Sequence, residues 1–473
     1  MRKTKIIATL GPASTSEEML RSLMLAGVNV FRLNFSHGSH EIHANSVKLI
    51  DKLNAELGLH VATLADLSGP KIRTGVVEGN ALMLNPGDEY TITCHDEMCK
   101  PGIISVNYQE FASDVKPGED ILLDDGKLLL KTISSNGKDQ VIAKVVQGGL
   151  LSSRKGVNLP NTSLSLPSLS DKDLDDLRFI LTLNIQWVAL SFVRTASDID
   201  SLRKLIMEGC TGQPPRIVAK IEKPEAVANA VEIIRSADAI MIARGDLGVE
   251  TPQEQVPVVQ KRLARLCIAA SKPIIVATQM MEGMISSMRP TRAEVSDVAN
   301  SVLDGADALM LSGETSVGAY PVQTVETMSR IIKDVETYGV FHPDIVPEEA
   351  IQERKISDSV IMAACDLAKK VNARALIAMT HTGYSAFKLA SHRTGSGIYI
   401  FSNSRQLLCS LSLVWGVEGI FIEKFKNTDT AMVDMKKVLM ARGYITTGNY
   451  IIYVSSIPIG KPGKTNMLKL SIV

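Results

Sequence analysis

Short apolar runs alternate with amphipathic stretches through the first and central parts of the chain. Each apolar run is bounded by charged or polar residues, which is the pattern of strands buried on both faces of a parallel sheet. Eight of these runs are followed by helical patterns: Lys5–Leu10, Val28–Phe35, Val61–Leu67, Trp187–Val193, Ile217–Ile221, Ala239–Ala243, Pro273–Thr278 and Ala308–Leu311. Eight strand–helix units predict an α/β fold, a (β/α)₈ TIM barrel, whose functional residues lie at the C-terminal ends of the strands.

The pattern changes between residues 70 and 166. Short alternating runs such as Tyr90–Thr93 and Gln140–Val146 are separated by turn signals, which include Asn85-Pro86-Gly87-Asp88, Lys116-Pro117-Gly118-Glu119 and Asn136-Gly137. Regularly spaced hairpins of this kind predict an all-β barrel domain that is inserted into the TIM barrel.

Helices and strands alternate again from residue 338 onward. A helical pattern over Ile356–Val371 leads into an apolar run at Ala375–Thr380, and the alternation continues to the last strand, Leu468–Val473. This order predicts a C-terminal doubly wound α/β domain. The expected domains are residues 1–69 with 167–337 for the TIM barrel, 70–166 for the inserted β-barrel and 338–473 for the C-terminal domain.

Composition and charge exclude several classes of protein. Among 473 residues, Lys+Arg and Asp+Glu both total 51, so no net field favours nucleic acid or an anionic membrane. No window is long and apolar enough for a membrane helix, and the apolar part of the N-terminus is too short for a signal peptide. The six cysteines form no CxxC pair, so we expect no zinc site and a reducing, cytoplasmic location.

Charged side chains follow two consecutive apolar runs in the centre of the chain. Lys220 and Glu222 are two residues apart and therefore share a strand face, and Asp246 follows the next strand. Two neighbouring carboxylates repel each other unless a cation lies between them, and oxygen ligands suit Mg²⁺. A lysine beside that ion is placed to stabilise negative charge that develops during a reaction. The alternative is a purely structural ion pair.

The other predicted strands also end in polar residues, which favours a functional site over isolated ion pairs. These residues are Arg32, Asn34, Ser36, Asp66, Gly245, Thr278, Gln279, Ser312 and Glu314. Because the C-terminal ends of barrel strands share one rim, these side chains are expected to converge there.

The chain has no Walker sequence and no GxGxxG after a strand. The stretch Thr380–Ser385, however, ends a strand and opens a helix in the C-terminal domain. Its hydroxyls and backbone N–H groups either bind a phosphate or form an ordinary helix-capping turn.

Several long motifs resemble those of the pyruvate kinase family, in particular its bacterial members, and the resemblance covers nearly the whole chain. The motifs are RLNFSHG (32–38), KGVNLP (155–160), KIEKPEA (220–226), IMIARGDLGVE (240–250), ATQMMEGMI (277–285) and RPTRAEVSDVANSVLDGADALMLSGETSVGAYP (289–321). The resemblance implies the domain order given above and a glycolytic phosphotransferase that moves phosphoryl from phosphoenolpyruvate to ADP, giving pyruvate and ATP. It also implies a homotetramer.

The resemblance assigns roles to residues at the matching positions. The implied catalytic residues are Lys220, Thr278 and Arg32, and the implied substrate contacts add Gly245 and Asp246. Nucleotide contacts fall on Arg73, Lys155, His37 and Asn34. Glu222 and Asp246 are the implied ligands of Mg²⁺, for which Mn²⁺ is an expected substitute.

One position departs from the pattern of the family's K⁺-dependent members. The implied ligands of the monovalent ion are Asn34, Ser36, Asp66 and the carbonyl of Leu67. Where those members read D-T-K-G-P-E-I-R, residues 66–73 read D-L-S-G-P-K-I-R, so Lys71 replaces a glutamate. Our hypothesis is that the Lys71 ammonium supplies the charge of K⁺, so that K⁺ is not required. The alternative is an exposed lysine without such a role.

The resemblance also implies that a phosphorylated activator binds the C-terminal domain. The implied contacts are Thr380, Thr382, Gly383, Tyr384 and Ser385, with Lys461, Lys464 and Thr465 closing over the ligand. A sugar monophosphate, AMP and fructose 1,6-bisphosphate remain open as the activator.

Two other functions compete with the kinase. A Mg²⁺-dependent lyase or aldolase that acts on a pyruvate enolate also needs Glu and Asp on neighbouring strands, but it has no use for an inserted domain over ADP. A catalytically idle sugar-phosphate sensor needs only the C-terminal turn, but Lys220, Glu222, Asp246 and Thr278 are all intact.

Overall fold

Eight parallel strands form a closed barrel in the computed structural model, which describes residues 2–338, 354–423, 428–457 and 464–473. The barrel strands before the insertion are β1 (Lys5–Thr9), β2 (Val30–Asn34) and β3 (Ala62–Asp66). The strands of the insertion are β4 (Leu82–Leu84), β5 (Glu89–Thr93), β6 (Ile103–Ser105), β7 (Asp120–Leu123), β8 (Leu128–Ser135), β9 (Gln140–Gln147), β10 (Gly149–Leu151) and β11 (Val157–Asn158). The barrel resumes with β12 (Trp187–Leu190), β13 (Arg216–Ile221), β14 (Ala239–Ala243), β15 (Ile274–Ala277) and β16 (Ala308–Leu311).

Helices follow the barrel strands, and one short helix lies in the insertion. Those of the barrel and its insertion are α1 (Glu17–Ala26), α2 (His40–Leu57), α3 (Phe111–Asp114), α4 (Asp171–Ile180), α5 (Ala196–Gly209), α6 (Pro224–Ala228), α7 (Ala230–Ser236), α8 (Arg244–Glu250), α9 (Val256–Ala269), α10 (Arg292–Leu303), α11 (Gly313–Ser316) and α12 (Pro321–Tyr338). Short 3₁₀ turns lie at Glu78–Asn80, Gln253–Gln255 and Glu282–Ile285. Ser170 caps α4 through a reciprocal pair of hydrogen bonds with Asp173, as its position before the helix predicts.

The predicted eight-stranded barrel is confirmed, and the structure differs from the expectation mainly at the strand ends. The closed ring runs β1, β16, β15, β14, β13, β12, β3, β2. We expected an apolar strand over Trp187–Val193, but β12 ends at Leu190 because Ser191 leaves the sheet and Phe192 has a positive φ of 53°. Buried apolar side chains fill the inside of the ring and the layer between the strands and the helices.

The insertion is all-β apart from α3 and the 3₁₀ turn at Glu78–Asn80, and its predicted small barrel takes the form of two sheets around one apolar core. The larger sheet has six strands in the order β11, β7, β8, β9, β5, β6, and β10 pairs with β4 in the other. Isolated bridges join Arg73 to Gly156 and Thr74 to Val106 at the base of the insertion. The first bridge joins the two chain segments that connect the insertion to the barrel, and the second joins the incoming segment to the insertion.

The described part of the C-terminal domain is an open sheet with an apolar cluster on each face, as the alternating pattern predicts. Its strands are β17 (Ala375–Met379), β18 (Gly397–Ser402), β19 (Val417–Phe421), β20 (Tyr450–Ser455) and β21 (Met467–Ile472), and its helices are α13 (Lys355–Lys370), α14 (Tyr384–Ser391), α15 (Arg405–Leu411) and α16 (Thr428–Ala441). The sheet order is β19, β18, β17, β20, β21, and β21 runs antiparallel to β20.

A buried ion pair joins this domain to the barrel. Arg393 donates to the Asp307 carboxylate, with 2.9 Å between Nη2 and Oδ2, and also to the carbonyl of Gly305. The same carboxylate accepts from the backbone N–H of Trp415. Because the base of β16 and the C-terminal domain share this carboxylate, the two units are bonded to each other at the end of the barrel opposite the predicted site.

None of the helices in the part of the chain that the structure describes combines the length and apolar character that a bilayer span needs.

Candidate active site

The Lys220 ammonium lies at the rim of the barrel among oxygen atoms from three strands. Its Nζ is 2.9 Å from Oε1 of Glu222, 3.3 Å from Oδ1 of Asp66 and 2.8 Å from the Ser191 hydroxyl. Arg32 binds the other oxygen of Asp66, with 2.6 Å between Nε and Oδ2. Two cations and two carboxylates therefore form one buried cluster at the C-terminal ends of β2, β3 and β13.

Burial and neighbouring charges shift the pKa values of Lys220 and Asp66 in opposite directions. Burial by itself lowers the pKa of Lys220, but the carboxylates of Asp66 and Glu222 outweigh it and raise that pKa above its usual value. Burial likewise raises the pKa of Asp66, yet Lys220 and Arg32 hold it below the usual range. Both groups are thus charged at neutral pH, so a permanent positive charge is fixed at the rim.

The pKa of Glu222 is shifted upward, whereas that of Asp66 is shifted downward. Burial raises the pKa of Glu222, Lys220 lowers it, and the neighbouring carboxylate of Asp246 raises it, with a net upward shift. Its Oε2 also accepts from the backbone N–H of Phe192 at 2.7 Å. The Lys220 contact alone therefore does not neutralise this pair of carboxylates, and a further cation between Glu222 and Asp246 fits the charge that is present.

The first turn of α8, directly after β14, brings Gly245 against Thr278. The N–H of Gly245 donates to the Thr278 hydroxyl at 2.7 Å, and that hydroxyl donates to the carbonyl of Ala277 at 2.6 Å. Thr278 and Gln279 both have positive φ values, 69° and 54°, which are costly for side chains with a β carbon. The strained turn holds the Thr278 hydroxyl at the mouth of the barrel.

The insertion covers this side of the rim. A cleft of about 1380 Å³ lies between the two units, with Gly245 and Asp246 on the barrel side and Lys71 and Asp125 on the insertion side. Lys220 and Glu222 lie deeper, where they are almost fully buried. The Lys71 Nζ is 3.6 Å from Oδ1 of Asp246, so the positive charge of Lys71 is directed toward an implied Mg²⁺ ligand.

The residues expected to bind the nucleotide lie in two places, in the insertion and in the turn after β2. Lys155 forms an ion pair with Asp124 at 2.9 Å, and Arg73 donates to the carbonyl of Arg154. His37 is exposed, and its N–H donates to the carbonyl of Asn34. Arg73, Lys155 and His37 are all accessible to a ligand, unlike Lys220.

The four expected ligands of a monovalent ion lie along β2 and β3. Asn34 and Asp66 are direct neighbours in the register of these strands. The Asn34 side-chain oxygen accepts from the N–H of Ser36, and the Leu67 carbonyl accepts from the Ser191 hydroxyl. Asp66 Oδ1 is buried and has no hydrogen-bond partner, although Lys220 lies 3.3 Å away. This set offers oxygen atoms of the kind that a monovalent cation binds.

Two groups in the cluster were missed by the sequence analysis. Ser191 bridges Lys220 and the Leu67 carbonyl, and the N–H of Phe192 holds Glu222. Both follow β12 directly, so a shorter strand prediction would have placed Ser191 among the polar residues of the rim.

A second missed pair lies behind Thr278. Arg244 forms two hydrogen bonds with Asp297, each 2.7 Å long, and donates to the Thr278 carbonyl at 2.9 Å. Glu314, expected on the rim, accepts from the N–H groups of Met281 and Ser312 and therefore supports the loops around the site.

The Thr380–Ser385 stretch forms the expected turn before α14. Gly383 has a φ of 86°, and its N–H donates to the Thr380 hydroxyl at 2.9 Å. The Ser385 hydroxyl is 3.0 Å from that of Thr465, near the C-terminus. Lys464 is exposed, and Lys461 lies outside the described residues.

The chemistry of the donor set fits Mg²⁺ at Glu222 and Asp246. Mg²⁺ commonly takes one or two carboxylates and leaves its other positions to water and substrate. No group of three or more His, Cys, Asp or Glu side chains suited to a metal occurs in the described ranges. A site here would therefore depend on two carboxylates and on oxygen atoms of the substrate.

Comparison with known proteins places the chain in a family. A family model described as "Pyruvate kinase, barrel domain" matches residues 1–325, and one described as "Pyruvate kinase, alpha/beta domain" matches residues 358–471. The chain belongs to the pyruvate kinase family. It is 43% identical to a pyruvate kinase of Corynebacterium glutamicum over 472 residues, which cover all of this chain and 98% of the relative.

Other pyruvate kinases extend this similarity to distant organisms. The chain is 38% identical to that of Clostridium acetobutylicum over 474 residues, with all of both chains covered. It is also similar to the crystal structure of a pyruvate kinase from Cryptosporidium parvum, with a TM-score of 0.94, 34% identity, and coverage of 100% of this chain and 96% of that one. The predicted family, fold class and enzyme class are confirmed: the chain is a phosphotransferase of the pyruvate kinase type.

Proposed function

We propose that the Lys220 cluster is the centre at which this pyruvate kinase moves phosphoryl from phosphoenolpyruvate to ADP. The observation that carries the proposal is the fixed charge of Lys220 at the barrel rim, beside the carboxylate pair Glu222 and Asp246. In the reaction, the bond between phosphorus and the enol oxygen breaks as a bond to a terminal oxygen of ADP forms. Negative charge on the transferring group and on the enolate oxygen then needs a positioned cation.

The residues around Lys220 have separate proposed roles. Arg32, held by Asp66, binds the phosphate, and the backbone of Gly245 and Asp246 binds the substrate carboxylate. The Thr278 hydroxyl, held between the Gly245 N–H and the Ala277 carbonyl, helps to deliver a proton to the enolate carbon, which gives pyruvate. Glu222 and Asp246 would hold Mg²⁺, which when bound would supply positive charge to the substrate oxygens; Mn²⁺ is the expected substitute.

The nucleotide is proposed to lie between the barrel rim and the insertion. Arg73 and Lys155 project from the insertion, and His37 and Asn34 from the turn after β2. Lys155 is partly exposed, and it forms an ion pair with Asp124 of the insertion. A phosphate of ADP is therefore expected to exchange with the Asp124 carboxylate as the partner of Lys155 when the insertion closes over the site.

A coupled assay tests this function directly. Pyruvate formed from phosphoenolpyruvate and ADP is followed by NADH oxidation with lactate dehydrogenase, and turnover should require both substrates. Family membership and the intact Lys220 cluster argue against the lyase, the aldolase and the idle sensor. Pyruvate formation without ADP would support a lyase, and no turnover would support the sensor.

K⁺ independence is a prediction from Lys71. The side chain already directs a positive charge to Asp246, so an added monovalent cation is expected to contribute little. In tetramethylammonium buffer the activity should change by less than about twofold when KCl is added, which is less than about 0.4 kcal/mol in activation free energy. A many-fold stimulation by KCl would contradict the hypothesis.

The matched variant for this test is Lys71→Glu. It restores the residue of the K⁺-dependent pattern and places a third carboxylate near Asp246, which increases the need for a cation. Its activity in tetramethylammonium buffer should fall, and KCl should restore it. Equal KCl responses of the variant and the native chain would remove Lys71 from the explanation.

Activation by a phosphorylated metabolite is proposed for the Thr380–Ser385 turn, with Thr382, Gly383, Tyr384 and Lys464 as further contacts. Saturation curves for phosphoenolpyruvate are measured with fructose 1,6-bisphosphate, glucose 6-phosphate or AMP. At least one should lower the half-saturating concentration by about five- to tenfold, which lies at the lower end of the usual range of allosteric coupling. The shift should disappear in Ser385→Ala. If none of the three shifts the native curve, the turn has no such activator among them.

The assembly, location and domain limits are also proposals. We propose a cytoplasmic homotetramer, on the basis of the family and of the free cysteines. Sedimentation at micromolar concentration tests the tetramer. The proposed domains remain 1–69 with 167–337, 70–166 and 338–473, and limited proteolysis should cut near residues 70, 166 and 338.

A further inference from the structure

Helix α4 holds the turn that follows β2. This turn comprises residues 35–39 and joins β2 to α2. Lys172, in the first turn of α4, donates from Nζ to the carbonyl of Phe35 at 2.7 Å. Because the insertion separates these two residues in the sequence, the bond links two distant β/α units at the rim of the barrel.

A buried carboxylate connects Lys172 to the other end of the same turn. Asp176, one helical turn further along α4, is 2.6 Å from the Lys172 Nζ through its Oδ2. Its Oδ1 is 2.7 Å from Nε2 of His40, the first residue of α2. We call Lys172, Asp176 and His40 the Asp176 cluster. Because both carboxylate oxygens are bonded, the cluster fixes the turn at the Phe35 carbonyl and at the start of α2.

Ring contacts stabilise the same arrangement. The His40 ring stacks on Phe179 of α4, with 4.1 Å between the ring centroids. Inside the turn, the Phe35 ring stacks on His43 of α2 at 4.3 Å, and His43 Nε2 is 3.0 Å from the carbonyl of His37. Burial lowers the pKa of His43, so its ring is neutral at pH 7 and donates to this carbonyl from Nε2. Both ends and the middle of the turn therefore have partners in α2 or α4.

The course of the turn leaves the His37 side chain exposed at the rim. Gly38 has a φ of 80°, and a β carbon at this position would lie 3.3 Å from His43 Nε2, so the turn needs a glycine here. The N–H of His37 donates to the carbonyl of Asn34 at 3.1 Å. The two nucleotide contacts proposed for this turn, Asn34 and His37, thus depend on a backbone whose place is set by residues outside it.

We propose that Lys172 and Asp176 are positioning residues for the nucleotide, because they hold the turn after β2 where Asn34 and His37 meet ADP. The inference rests on the nucleotide role proposed above for Asn34 and His37. The groups proposed to bind phosphoenolpyruvate belong to the Lys220 cluster and are held by other carboxylates. Loss of the Asp176 cluster should therefore weaken binding of ADP more than binding of phosphoenolpyruvate.

Lys172 acts through a backbone carbonyl in this role. Without its ammonium, the Phe35 carbonyl loses a charged donor and Asp176 loses one of its two partners. A small displacement of the turn then misplaces His37, and binding and catalysis are sensitive to such displacements. If the Lys172 ammonium instead bound a phosphate of ADP directly, Asp176→Asn would free the ammonium and tighten binding. The positioning role predicts the opposite, weaker binding in Asp176→Asn.

The test is a calorimetric titration of the full chain with ADP in the presence of Mg²⁺, in parallel with phosphoenolpyruvate. Lys172→Met and Asp176→Asn should each raise the Kd of ADP by about tenfold, the effect of losing one hydrogen bond to a charged group, and change that of phosphoenolpyruvate by less than about twofold. Lys172→Arg retains the charge and should recover part of the affinity for ADP. The matched control is Lys48→Met, which removes an exposed lysine of α2 and should leave both affinities unchanged.

Steady-state kinetics in the coupled assay give a second readout. The KM for ADP should rise in both cluster variants, while the KM for phosphoenolpyruvate and kcat at saturating ADP change less. A general loss of structure would instead weaken both substrates and lower kcat together. The Lys172 side chain is 57% exposed, so Lys172→Met is expected to fold, and thermal unfolding checks this for every variant.

His37→Ala separates this inference from the proposed function on which it rests. Weaker ADP binding in His37→Ala and in both cluster variants supports positioning through the turn. Weaker binding in His37→Ala, with unchanged or tighter binding in either cluster variant, overturns the inference and leaves the proposed nucleotide role intact. Weaker binding in the cluster variants alone, or equal losses for ADP and phosphoenolpyruvate, also overturns it. A native chain that binds no ADP, or no weakening in any variant, overturns both.

Discussion

Replacing Lys220 by methionine is expected to lower kcat by on the order of 10³-fold while phosphoenolpyruvate still binds, because a preorganised charge at the developing negative charge is lost. Methionine keeps much of the volume of the lysine side chain but leaves the carboxylates of Asp66 and Glu222 without their shared ammonium. The measurement combines the coupled assay with calorimetric titration of phosphoenolpyruvate. Such a loss corresponds to about 4 kcal/mol of transition-state stabilisation.

A matched control and a second variant distinguish loss of catalysis from loss of folding. Lys204→Met removes an exposed lysine of α5, which pairs with the exposed Glu208, and should leave kcat near the native value. Because removing one partner of a buried ion pair destabilises a protein, thermal unfolding must show that Lys220→Met is folded. Lys220→Arg retains the positive charge at a changed position. It should therefore fold even if Lys220→Met does not. Near-native turnover of a folded Lys220→Met would remove Lys220 from the mechanism.

Glu222→Gln is expected to raise the Mg²⁺ concentration for half-maximal activity by on the order of 100-fold, because one of two carboxylate ligands is lost. The same substitution removes one oxygen anion from Lys220, so kcat should also fall. Activity is measured against free Mg²⁺, and binding of Mn²⁺ is followed independently by electron paramagnetic resonance. Asp246→Asn should act in the same direction, since its carboxylate faces Glu222.

Glu225→Gln is the control for this pair of variants. It lies three residues after Glu222, in the first turn of α6, where it carries no hydrogen bond or ion pair through its side chain among the described contacts. Its Mg²⁺ dependence and Mn²⁺ affinity should match those of the native chain. Unchanged Mn²⁺ binding in both Glu222→Gln and Asp246→Asn would show that the metal lies elsewhere.

The proximity of Lys220, Glu222 and Asp246 could be predicted from their spacing in the sequence alone. Lys220 and Glu222 share a face because side chains alternate along a strand, and Asp246 lies nearby because consecutive β/α units form neighbouring strands. The contacts of Ser191 and Asp66 with Lys220 could not be predicted in the same way. They come from β12 and β3, and which residue of each strand reaches the centre depends on the stagger of the closed barrel.

The contact of Lys71, which lies in the segment between β3 and the insertion, also could not be predicted from the sequence. Its sequence position placed it with the monovalent-ion residues of β3, but its ammonium lies nearest to Asp246 at the end of β14. The insertion leaves the barrel after β3 and covers the opposite part of the rim, so its first residues cross the site. No local sequence pattern predicts this course of the chain.

The sequence by itself determined the eight strand–helix units, the all-β insertion, the alternating C-terminal domain and the family, because hydrophobic period and long motifs are local properties of the chain. Only the tertiary structure decided which ionisable side chains meet: Lys220 with Asp66, Lys71 with Asp246, and His40 with Asp176. The physical reason is that barrel closure and domain packing bring together residues far apart in sequence, and their interaction energy depends on distance and burial, neither of which is encoded at any single position.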